Sequence, residues 1–226
     1  MKLSKRLAAI DALITEPEDI IWDCCCDHGY LGLALLKRNA ANKVIFVDIV
    51  PDLMANLELL LLRVSSAQSM HSNNDQWQVL CKDVGAIKLT SDTKQVVVIA
   101  GVGGELLLKL LQQVVANNSM HIIQNVRFIL CPVQHTYTLR TGLDLLGLGL
   151  LSEQIIVDNK RFYEVIEVSF NSNTTLSKTG DMMWQYDNAV HKAYKQQLLN
   201  HYTKMLNKDA LYYQKVITDY QGLIDS

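Results

Sequence analysis

The chain has 226 residues, of which 49% are hydrophobic and 19% are charged, and its formal net charge is −2. This length accommodates one α/β domain of typical size and a smaller appendage, and the composition excludes wholesale disorder. A globally basic protein would indicate a nucleic-acid partner, so any RNA-binding surface here must be a local patch.

The cysteines do not form a disulfide framework. They number five, and three of them are consecutive at positions 24–26, a spacing that also suits no structural zinc site. We therefore expect reduced thiols, a cytoplasmic protein and no metal. Charged residues interrupt the apolar pattern of residues 1–14, and the Leu-rich stretch 57–62 is too short to span a bilayer, so we expect neither a signal peptide nor a membrane segment.

Short apolar runs alternate with helical patterns along most of the chain. After an amphipathic helix at 2–15, the patterns predict strands at 20–23, 44–48, 77–81, 96–100 and 126–131, and helices at 30–38, 51–64, 105–115 and 136–146. Strand and helix alternating at this spacing predict a parallel, doubly wound α/β sheet.

The sheet ends differently from how it begins. Residues 151–157 and 162–170 are strand runs separated by only four residues, too few for a crossover helix, so they predict an antiparallel hairpin. Five parallel strands closed by such a hairpin give a Rossmann-like, mostly parallel seven-stranded sheet, typical of class I methyltransferases. A dinucleotide-binding dehydrogenase would continue with parallel strands instead.

A helical tail follows the predicted sheet. Residues 171–180 are polar and lack periodicity, which indicates a linker, and an interrupted apolar stripe beyond them predicts a helical hairpin. We therefore divide the chain into a main domain at 1–170, a linker at 171–180 and a hairpin at 181–226. The sequence leaves open whether the hairpin packs on the main domain or serves as a substrate arm.

Acidic residues follow the predicted strands. Asp48 ends the second strand, twenty-five residues after Asp23, and Asp83 lies just past the third strand. In doubly wound sheets ligands bind at this edge, where Asp48 can accept hydrogen bonds from ribose hydroxyls and Asp83 can reach an adenine amino group. Each acid alone could equally cap a helix or turn. Together they favour an adenosine-containing ligand.

The segment 23–31 forms the first strand-to-helix turn and is the most specific part of the chain. Glycines normally allow a cofactor to approach the backbone there, and only Gly29 is present. Asp27 and His28 are ionisable residues in an otherwise apolar turn, so we expect a desolvation cost unless they have a functional role. The alternative for Asp27 is helix capping.

Two further segments follow the fourth and fifth strands. The glycines of residues 101–104 allow close backbone approach to a ligand, and the absence of an acid about twenty residues later argues against a nicotinamide fingerprint. Gln134, His135 and Arg140 come after the fifth strand, where we expect surface-loop roles.

Several segments resemble one known family, the bacterial tRNA adenine-22 N1-methyltransferases (the TrmK family). Leu3–Leu7 is similar to its LSxRL, Asp23–Leu31 to its DIGSDHAYL, Ile99–Gly104 to its IAGMGG, and Arg161–Ile166 to its KxYEII. The resemblance also includes Leu139-Arg140 and covers residues 3–168. The helical tail resembles the C-terminal coiled-coil pair of the family more loosely.

The resemblance implies S-adenosylmethionine as methyl donor, N1 of a tRNA D-loop adenine as acceptor, and the tail as an RNA-binding element. Asp48 matches the ribose-binding acid of the family and Asp83 the acid near the cofactor adenine. The implied cofactor contacts are Asp23, Cys25, Gly29, Asp48, Ile49, Asp83, Ala100, Gly101, Gly103 and Gly104.

Methyl transfer needs an acceptor site and an RNA surface. We expect Asp27, His28 and Tyr30 to shape the acceptor site, with Tyr30 stacking on the base. Candidate phosphate contacts are basic residues of the first helix and of the tail: Lys2, Lys5, Arg6, Lys192, Lys195, Lys204, Lys208 and Lys215. For each one singly, an ordinary solvated helix face is the alternative.

The chain departs from the family pattern at three places. Cys25 replaces a glycine, Val102 replaces a methionine, and residues 131–133 read Cys-Pro-Val where the family shows QPN. Two other functions therefore stay open: methylation of another RNA site or of a small molecule, and RNA binding without catalysis by a protein whose donor site is lost. We expect a monomer or a weak dimer.

Overall fold

The computed structural model describes residues 2–67, 76–185 and 187–223; the predicted domain limits at positions 1 and 226 lie outside them. The strands are β1 (Glu18–Cys24), β2 (Ala41–Asp48), β3 (Trp77–Cys81), β4 (Gln95–Ala100), β5 (Val126–Cys131), β6 (Gly149–Asp158) and β7 (Arg161–Ser169). The helices are α1 (Lys5–Leu13), α2 (Tyr30–Lys37), α3 (Pro51–Ala67), α4 (Gly104–Asn117), α5 (Met120–Ile123), α6 (Thr136–Leu145), α7 (Ala189–Met205) and α8 (Ala210–Gln221). Within the described ranges, none of these helices has the length and apolarity needed to cross a membrane.

The predicted sheet is confirmed. The strands form one seven-stranded sheet in the order β3-β2-β1-β4-β5-β7-β6, in which β1 to β5 pair in parallel and β7 runs antiparallel to β5 and to β6. The predicted bounds of β3 and β5 agree with the structure to the residue. The sequence patterns did not indicate the short helix α5 or the 3₁₀ turn Val84–Ala86, because each spans less than two helical turns.

The first helix is shorter than predicted. The pattern suggested 2–15, whereas α1 begins at Lys5 because the Ser4 hydroxyl accepts a hydrogen bond from the Leu7 N–H at 3.3 Å and caps the helix. Ile10 and Ile14 from this segment are buried against the sheet. Ser4 itself lines the cavity at the carboxyl ends of β1 and β4.

Two apolar layers cover the sheet. In β4, Val96 and Val98 pack with α1, α2 and α3, whereas Val97 and Ile99 pack with α4 and α6 on the other face. All four side chains are fully buried, as expected for a central parallel strand. The strand order reverses between β1 and β4, and this switch point opens a crevice at their carboxyl ends, where doubly wound sheets bind ligands.

The tail forms the predicted helical hairpin and packs on the main domain. Its apolar core joins Tyr202 and Tyr220 of α7 and α8 to Tyr137 of α6, and the Tyr137 hydroxyl donates to Asp219 at 2.6 Å. The connecting residues 171–180 are irregular and contact the sheet, since the Leu150 N–H donates to the Thr174 carbonyl at 2.9 Å. Of the two roles left open for the hairpin, packing on the domain is what the structure shows.

The interpretation of Arg140 as a surface-loop residue is wrong. Its side chain is fully buried, where Nε donates to Glu164 at 2.8 Å and Nη1 donates to Glu153 at 2.7 Å. The Tyr194 hydroxyl donates to the other oxygen of Glu164 at 2.8 Å, and Arg140 also donates to the Ser177 carbonyl. Burial raises the pKa of Glu164 although Arg140 lowers it. One guanidinium thus connects α6, β6, β7, the 171–180 segment and, through Glu164, α7.

We expect Arg140→Ala to destabilise the protein by about 3–5 kcal/mol, because it leaves buried carboxylates without their counterion. Urea unfolding at neutral pH measures this loss. Arg161→Ala, at the exposed first position of β7, is the matched control and should change stability by no more than about 0.5 kcal/mol. A loss below about 1 kcal/mol for Arg140→Ala would show that the buried pairs are unimportant for folding.

Candidate active site

The loop between β1 and α2 is built from left-handed backbone. Cys25, Asp27 and Gly29 have φ angles of 56°, 52° and 68°, although only Gly29 adopts this region without steric cost. The loop is held by backbone hydrogen bonds from the Cys26 N–H to the Val47 carbonyl at 3.3 Å and from the Gly29 N–H to the Cys26 carbonyl at 2.8 Å. The fold thus imposes a strained, fixed path at the sheet edge.

Asp48 fixes this loop from the end of β2. One carboxylate oxygen accepts from the Asp27 N–H at 3.1 Å, and the other accepts from the Val50 N–H at 3.3 Å. Each oxygen keeps a further lone pair for an external donor. The carboxylate is half-buried at the carboxyl edge of the sheet, the position predicted for an acid that holds a ribose.

Asp23 lies beneath the loop and is buried, with 4% of its surface exposed. Its carboxyl group accepts from the Gly32 N–H in the first turn of α2 at 2.8 Å. Burial raises the pKa of Asp23 to about 7; the Gly32 hydrogen bond opposes this shift and the nearby Asp48 charge adds to it. Asp23 therefore orients the start of α2 and titrates near neutral pH.

A cavity of about 340 Å³ opens above these groups at the ends of β1 and β4. It contains many of the predicted site residues together with residues of α1 and its cap. The lining residues are Ser4, Arg6, Leu7, Asp23, Cys24, Cys25, Cys26, Asp27, His28, Tyr30, Leu31, Ala100 and Gly101.

Asp27, His28 and Tyr30 form the outer wall of the cavity. The Asp27 and His28 side chains are 69% and 57% exposed, so the prediction that they incur a desolvation cost is wrong. The His28 and Tyr30 ring centroids are 5.6 Å apart, and His28 Nε2 lies 3.6 Å from an Asp27 carboxylate oxygen. Asp27 does not cap α2, because Gly29 occupies the N-cap position. These polar groups are open to an incoming molecule.

The predicted glycines separate into two groups. A Cβ on Gly101, whose φ is 87°, would meet nothing closer than Arg6 at 4.0 Å, so this glycine opens onto free cavity space. A Cβ on Gly104 would lie 2.4 Å from the His135 carbonyl, and one on Gly29 would lie 2.8 Å from Leu57. The latter two glycines serve contacts within the protein and do not line the cavity.

Other predicted cofactor contacts, Asp48 among them, also lie outside the cavity wall. Ile49 is 66% exposed on the loop after β2, and Gly103 faces Gln134. Asp83 accepts from the Gly85 N–H at 2.8 Å and caps the 3₁₀ turn, the alternative considered for such an acid. These residues border the same edge of the sheet without being brought together in the cavity.

Arg6 is a cavity residue that sequence reasoning assigned to RNA. It is half-buried, lines the cavity, and its guanidinium carbon lies 5.0 Å from the centre of the Tyr163 ring. Ser4 and Leu7 line the cavity as well, and neither was singled out. The signal was present, since all three residues belong to the Leu3–Leu7 motif, but one helix gives no indication of which sheet edge it covers.

The remaining basic residues lie on the surface, with one exception. Lys2, Lys5, Lys192 and Lys204 are exposed, whereas Lys195 is half-buried and donates to the Leu223 carbonyl at 3.0 Å. Lys195 thus holds the chain just after α8. Across residues 2–67, 76–185 and 187–223, no group of three or more His, Cys, Asp or Glu side chains is arranged to hold a metal ion.

Most of the chain matches the model of a known protein family. The family model described as "Methyltransferase domain" matches residues 3–166. The chain belongs to the methyltransferase-domain family. Its cavity lies beside the β1–α2 loop, at the switch point between β1 and β4. Doubly wound sheets bind ligands at this position.

Relatives of this methyltransferase-domain chain share its architecture. A B. subtilis structure described as the m1A22 tRNA methyltransferase TrmK covers 99% of both chains with a TM-score of 0.76 and 18% identity. M. capricolum TrmK in complex with S-adenosyl-homocysteine covers 100% of this chain and 99% of its own, with a TM-score of 0.75 and 20% identity. A Mycoplasma genitalium protein, MG248, whose name assigns it provisionally to the tRNA methyltransferases, is 22% identical over 167 residues, 74% of this chain and 69% of its own.

Asp23 predicts a distinctive pH dependence of stability in this methyltransferase-domain chain. Its folded pKa of about 7 exceeds the ordinary 3.8, so its contribution to stability is fully present below pH 3.8 and is lost as pH rises through 7. Asp23→Asn keeps the acceptor for Gly32 and removes the titration.

Between about pH 5 and pH 8, the free energy of unfolding of the wild type should fall by about 2–3 kcal/mol more than that of Asp23→Asn. Urea unfolding at several pH values measures the difference, in which the titration of other groups cancels. Identical pH profiles for the two proteins would contradict the assignment.

Proposed function

We propose that this protein transfers the methyl group of S-adenosylmethionine to N1 of an adenine in tRNA, of the D-loop adenine-22 type. The observation that carries the proposal is the switch-point cavity of a methyltransferase domain, which is lined by Arg6 and by the loop that Asp48 holds through the Asp27 N–H. The M. capricolum relative binds the demethylated cofactor product, and the B. subtilis relative methylates tRNA adenine 22 according to their descriptions. Both support the proposal.

The residues present fit an adenosyl sulfonium. Asp48 offers a free lone pair on each oxygen, which suits the two hydroxyls of a ribose. Among the described residues that line the cavity, Arg6 carries a permanent positive charge. This charge suits the carboxylate of the methionine portion. Gly101 leaves space where any other residue would project a Cβ. Cys25 replaces the glycine of the family pattern and narrows the same space.

Catalysis by this arrangement is mainly alignment. When bound, S-adenosylmethionine would supply an electrophilic methyl group, with its sulfide portion as the leaving group opposite the incoming nitrogen. Adenine N1 carries its own lone pair at neutral pH, so the protein needs no strong general base; it needs to hold the base at the cavity mouth. Well-oriented reactant pairs can gain about 7–11 kcal/mol in this way.

The outer wall is where we place the acceptor adenine. N1 lies on the Watson–Crick edge, so the base must be unpaired or flipped out of its helix before it can enter. Asp27 and His28 are exposed there and offer polar groups to the edge of the base, and Tyr30, 49% exposed, offers a ring face for stacking. Together these side chains determine the position of N1.

The surface around the cavity suits a polyanion in part. Lys2 and Lys5 are exposed at the start of α1, close in sequence to Arg6, and Lys192 and Lys204 are exposed on α7. Lys195 is excluded from this set by its contact with α8. Free thiols at all five cysteines suit a reducing compartment, and we place the reaction in the cytoplasm; a monomer or weak dimer stays a prediction.

One observation favours a second candidate, an RNA-binding protein that no longer binds the donor. Cys25 lines the cavity with a left-handed backbone, at the place where the family pattern has glycine. Calorimetric titration of the full chain with S-adenosylmethionine separates the two candidates, because the second predicts no heat of binding.

The decisive experiment is methyl transfer. The full chain is incubated with labelled S-adenosylmethionine and bulk tRNA, and the modified nucleotide is mapped. Label at N1 of a D-loop adenine is the expected result. Label at another site, or in small molecules only, would contradict the proposed acceptor, and no transfer together with no donor binding would support the second candidate.

The double variant Asp27→Ala/His28→Ala should lose transfer by at least about 100-fold while remaining folded, because misplacing the acceptor by 1 Å already costs that much. Transfer rates with tRNA measure the loss, and circular dichroism and donor calorimetry check the fold and the donor site. Full activity of the double variant would refute the role of both residues.

Substitutions at Cys25 should affect the donor and leave free RNA binding unchanged. Cys25→Gly should bind S-adenosylmethionine at least as tightly as the wild type, and Cys25→Val at least about tenfold more weakly, because a β-branched residue fits a left-handed backbone poorly and fills the cavity. Calorimetry measures both, with Cys81→Val at an exposed position as control. Equal affinities of the glycine and valine variants would show that Cys25 does not border the donor.

A further inference from the structure

A second cavity, of about 320 Å³, lies between the main domain and the C-terminal hairpin. Its size is at the lower end of the range of about 300–1,000 Å³ that is typical of small-ligand pockets. The walls come from the loop after β5, the start of β7 and one side of α7. The lining includes Gln134, His135, Phe162, Tyr163, Gln197 and His201.

Two rings of an aromatic stack, Phe162 and Tyr194, line this cavity. Trp184 stacks on Tyr194 with centroids 5.7 Å apart and planes inclined by 22°, and Tyr194 stacks on Phe162 at 5.0 Å and 21°. Trp184 and Tyr194 are buried, whereas Phe162 is the last ring of the stack and only partly buried. A planar ring placed on Phe162 would continue the stack, which is how unpaired nucleobases bind aromatic side chains.

The rest of the lining offers both donors and acceptors. Gln134 and Gln197 provide amides, and His201 provides an imidazole. Burial lowers the pKa of His201, and the neighbouring His135, Lys204 and Lys208 lower it further, which favours the neutral imidazole. A neutral imidazole and an amide each present a donor and an acceptor, the combination needed to hydrogen-bond the edge of a base.

The charge around the cavity favours a ligand with phosphates. Helix α7 contains no Asp or Glu over 189–205, and its Lys192 and Lys204 are exposed outside the cavity wall. Glu164 also lines the cavity, but its two oxygens accept hydrogen bonds from Tyr194 and Arg140. Its charge is therefore balanced within the protein and does not face the ligand alone.

The second cavity adjoins the cavity at the ends of β1 and β4, in which we place the methyl donor and which we call the donor cavity. Tyr163 lines the second cavity, and Arg6, which lines the donor cavity, lies 5.0 Å from the centre of its ring. The Gly101 N–H, at the donor cavity, donates to the Cys131 carbonyl at 3.2 Å, next to the loop that walls the second cavity. A strand whose one nucleotide enters the donor cavity can therefore reach the second cavity with another.

We propose that the second cavity binds an unpaired nucleobase of the RNA substrate, distinct from the methylated base, stacked on Phe162. This inference rests on the proposed function, since it takes RNA as the substrate. It adds that recognition requires a second unpaired nucleotide beside the target, held jointly by β7 and α7.

Binding of a tRNA transcript to the full chain tests the proposal. Phe162→Leu keeps an apolar side chain and removes the ring, and Gln197→Glu adds a negative charge to the cavity wall. Each should raise the dissociation constant, measured by fluorescence anisotropy, at least about fivefold. Gln196→Glu makes the same charge change on an exposed, neighbouring position of α7 and should stay within about twofold of the wild type.

A second readout detects the stack itself. Transcripts carrying single 2-aminopurine substitutions near the target adenine report stacking by loss of fluorescence. One position should be quenched by the wild type and by Phe162→Tyr, and markedly less by Phe162→Leu. A merely structural role of Phe162 would not produce this position-specific difference.

The outcomes are distinct. If Phe162→Leu and Gln197→Glu both bind tRNA and quench fluorescence as the wild type does, this inference is overturned and the proposed function stands. A cavity that serves a protein partner would give that result. Equal losses in Gln197→Glu and Gln196→Glu, with unchanged quenching in Phe162→Leu, would also overturn it. Failure of the wild type to bind or methylate tRNA would overturn the proposed function itself.

Discussion

The arrangement of the molecule depends on one buried guanidinium. Arg140 reaches Glu153 and Glu164 in a region from which water is excluded, and a lone charge in such a place would be strongly unfavourable. Because the partners come from β6 and β7, the pairing fixes α6 against the antiparallel end of the sheet. Tyr194 extends the network to α7, so the hairpin has a defined position relative to the catalytic edge.

A second constraint operates at the other end of the crevice. The β1–α2 loop can take its left-handed path only because Asp48 and the backbone of β2 hold it. The strain at Cys25 and Asp27 is therefore maintained by the sheet, and the loop is preorganised before any ligand arrives. Between these two constraints lie both cavities, one over β1 and β4 and the other beside β5 and β7.

Hydrophobic periodicity was sufficient to predict the sheet, since each strand of the parallel part is a short apolar run, and the four-residue link at 158–161 required an antiparallel pair. The position of Asp48 at the carboxyl edge of the sheet could be predicted because acids at strand ends converge by topology. Arg140 could not, because a charged residue in a helix is ordinarily exposed, and only the tertiary partners Glu153 and Glu164 make its burial favourable. That Arg6 also lines the cavity could not be predicted for a related reason: sequence gives a helix but not the edge that the helix covers.

The glycines illustrate the same limit. Gly101 and Gly104 belong to one motif, yet one opens onto a cavity and the other packs against the loop after β5. A short motif does not tell these two uses apart, because both require the absence of a Cβ.

The hydrogen bonds of Asp48 have a consequence for selectivity. One lone pair of each oxygen accepts a hydrogen bond from the backbone, which fixes the orientation of the carboxylate. The remaining lone pairs can accept hydrogen bonds from two neighbouring hydroxyls. A phosphate esterified to either hydroxyl would bring like charges into contact and would offer no proton in return. If Asp48 holds the ribose as in the proposed function, the crevice discriminates against nucleosides phosphorylated at the 2′ or 3′ position.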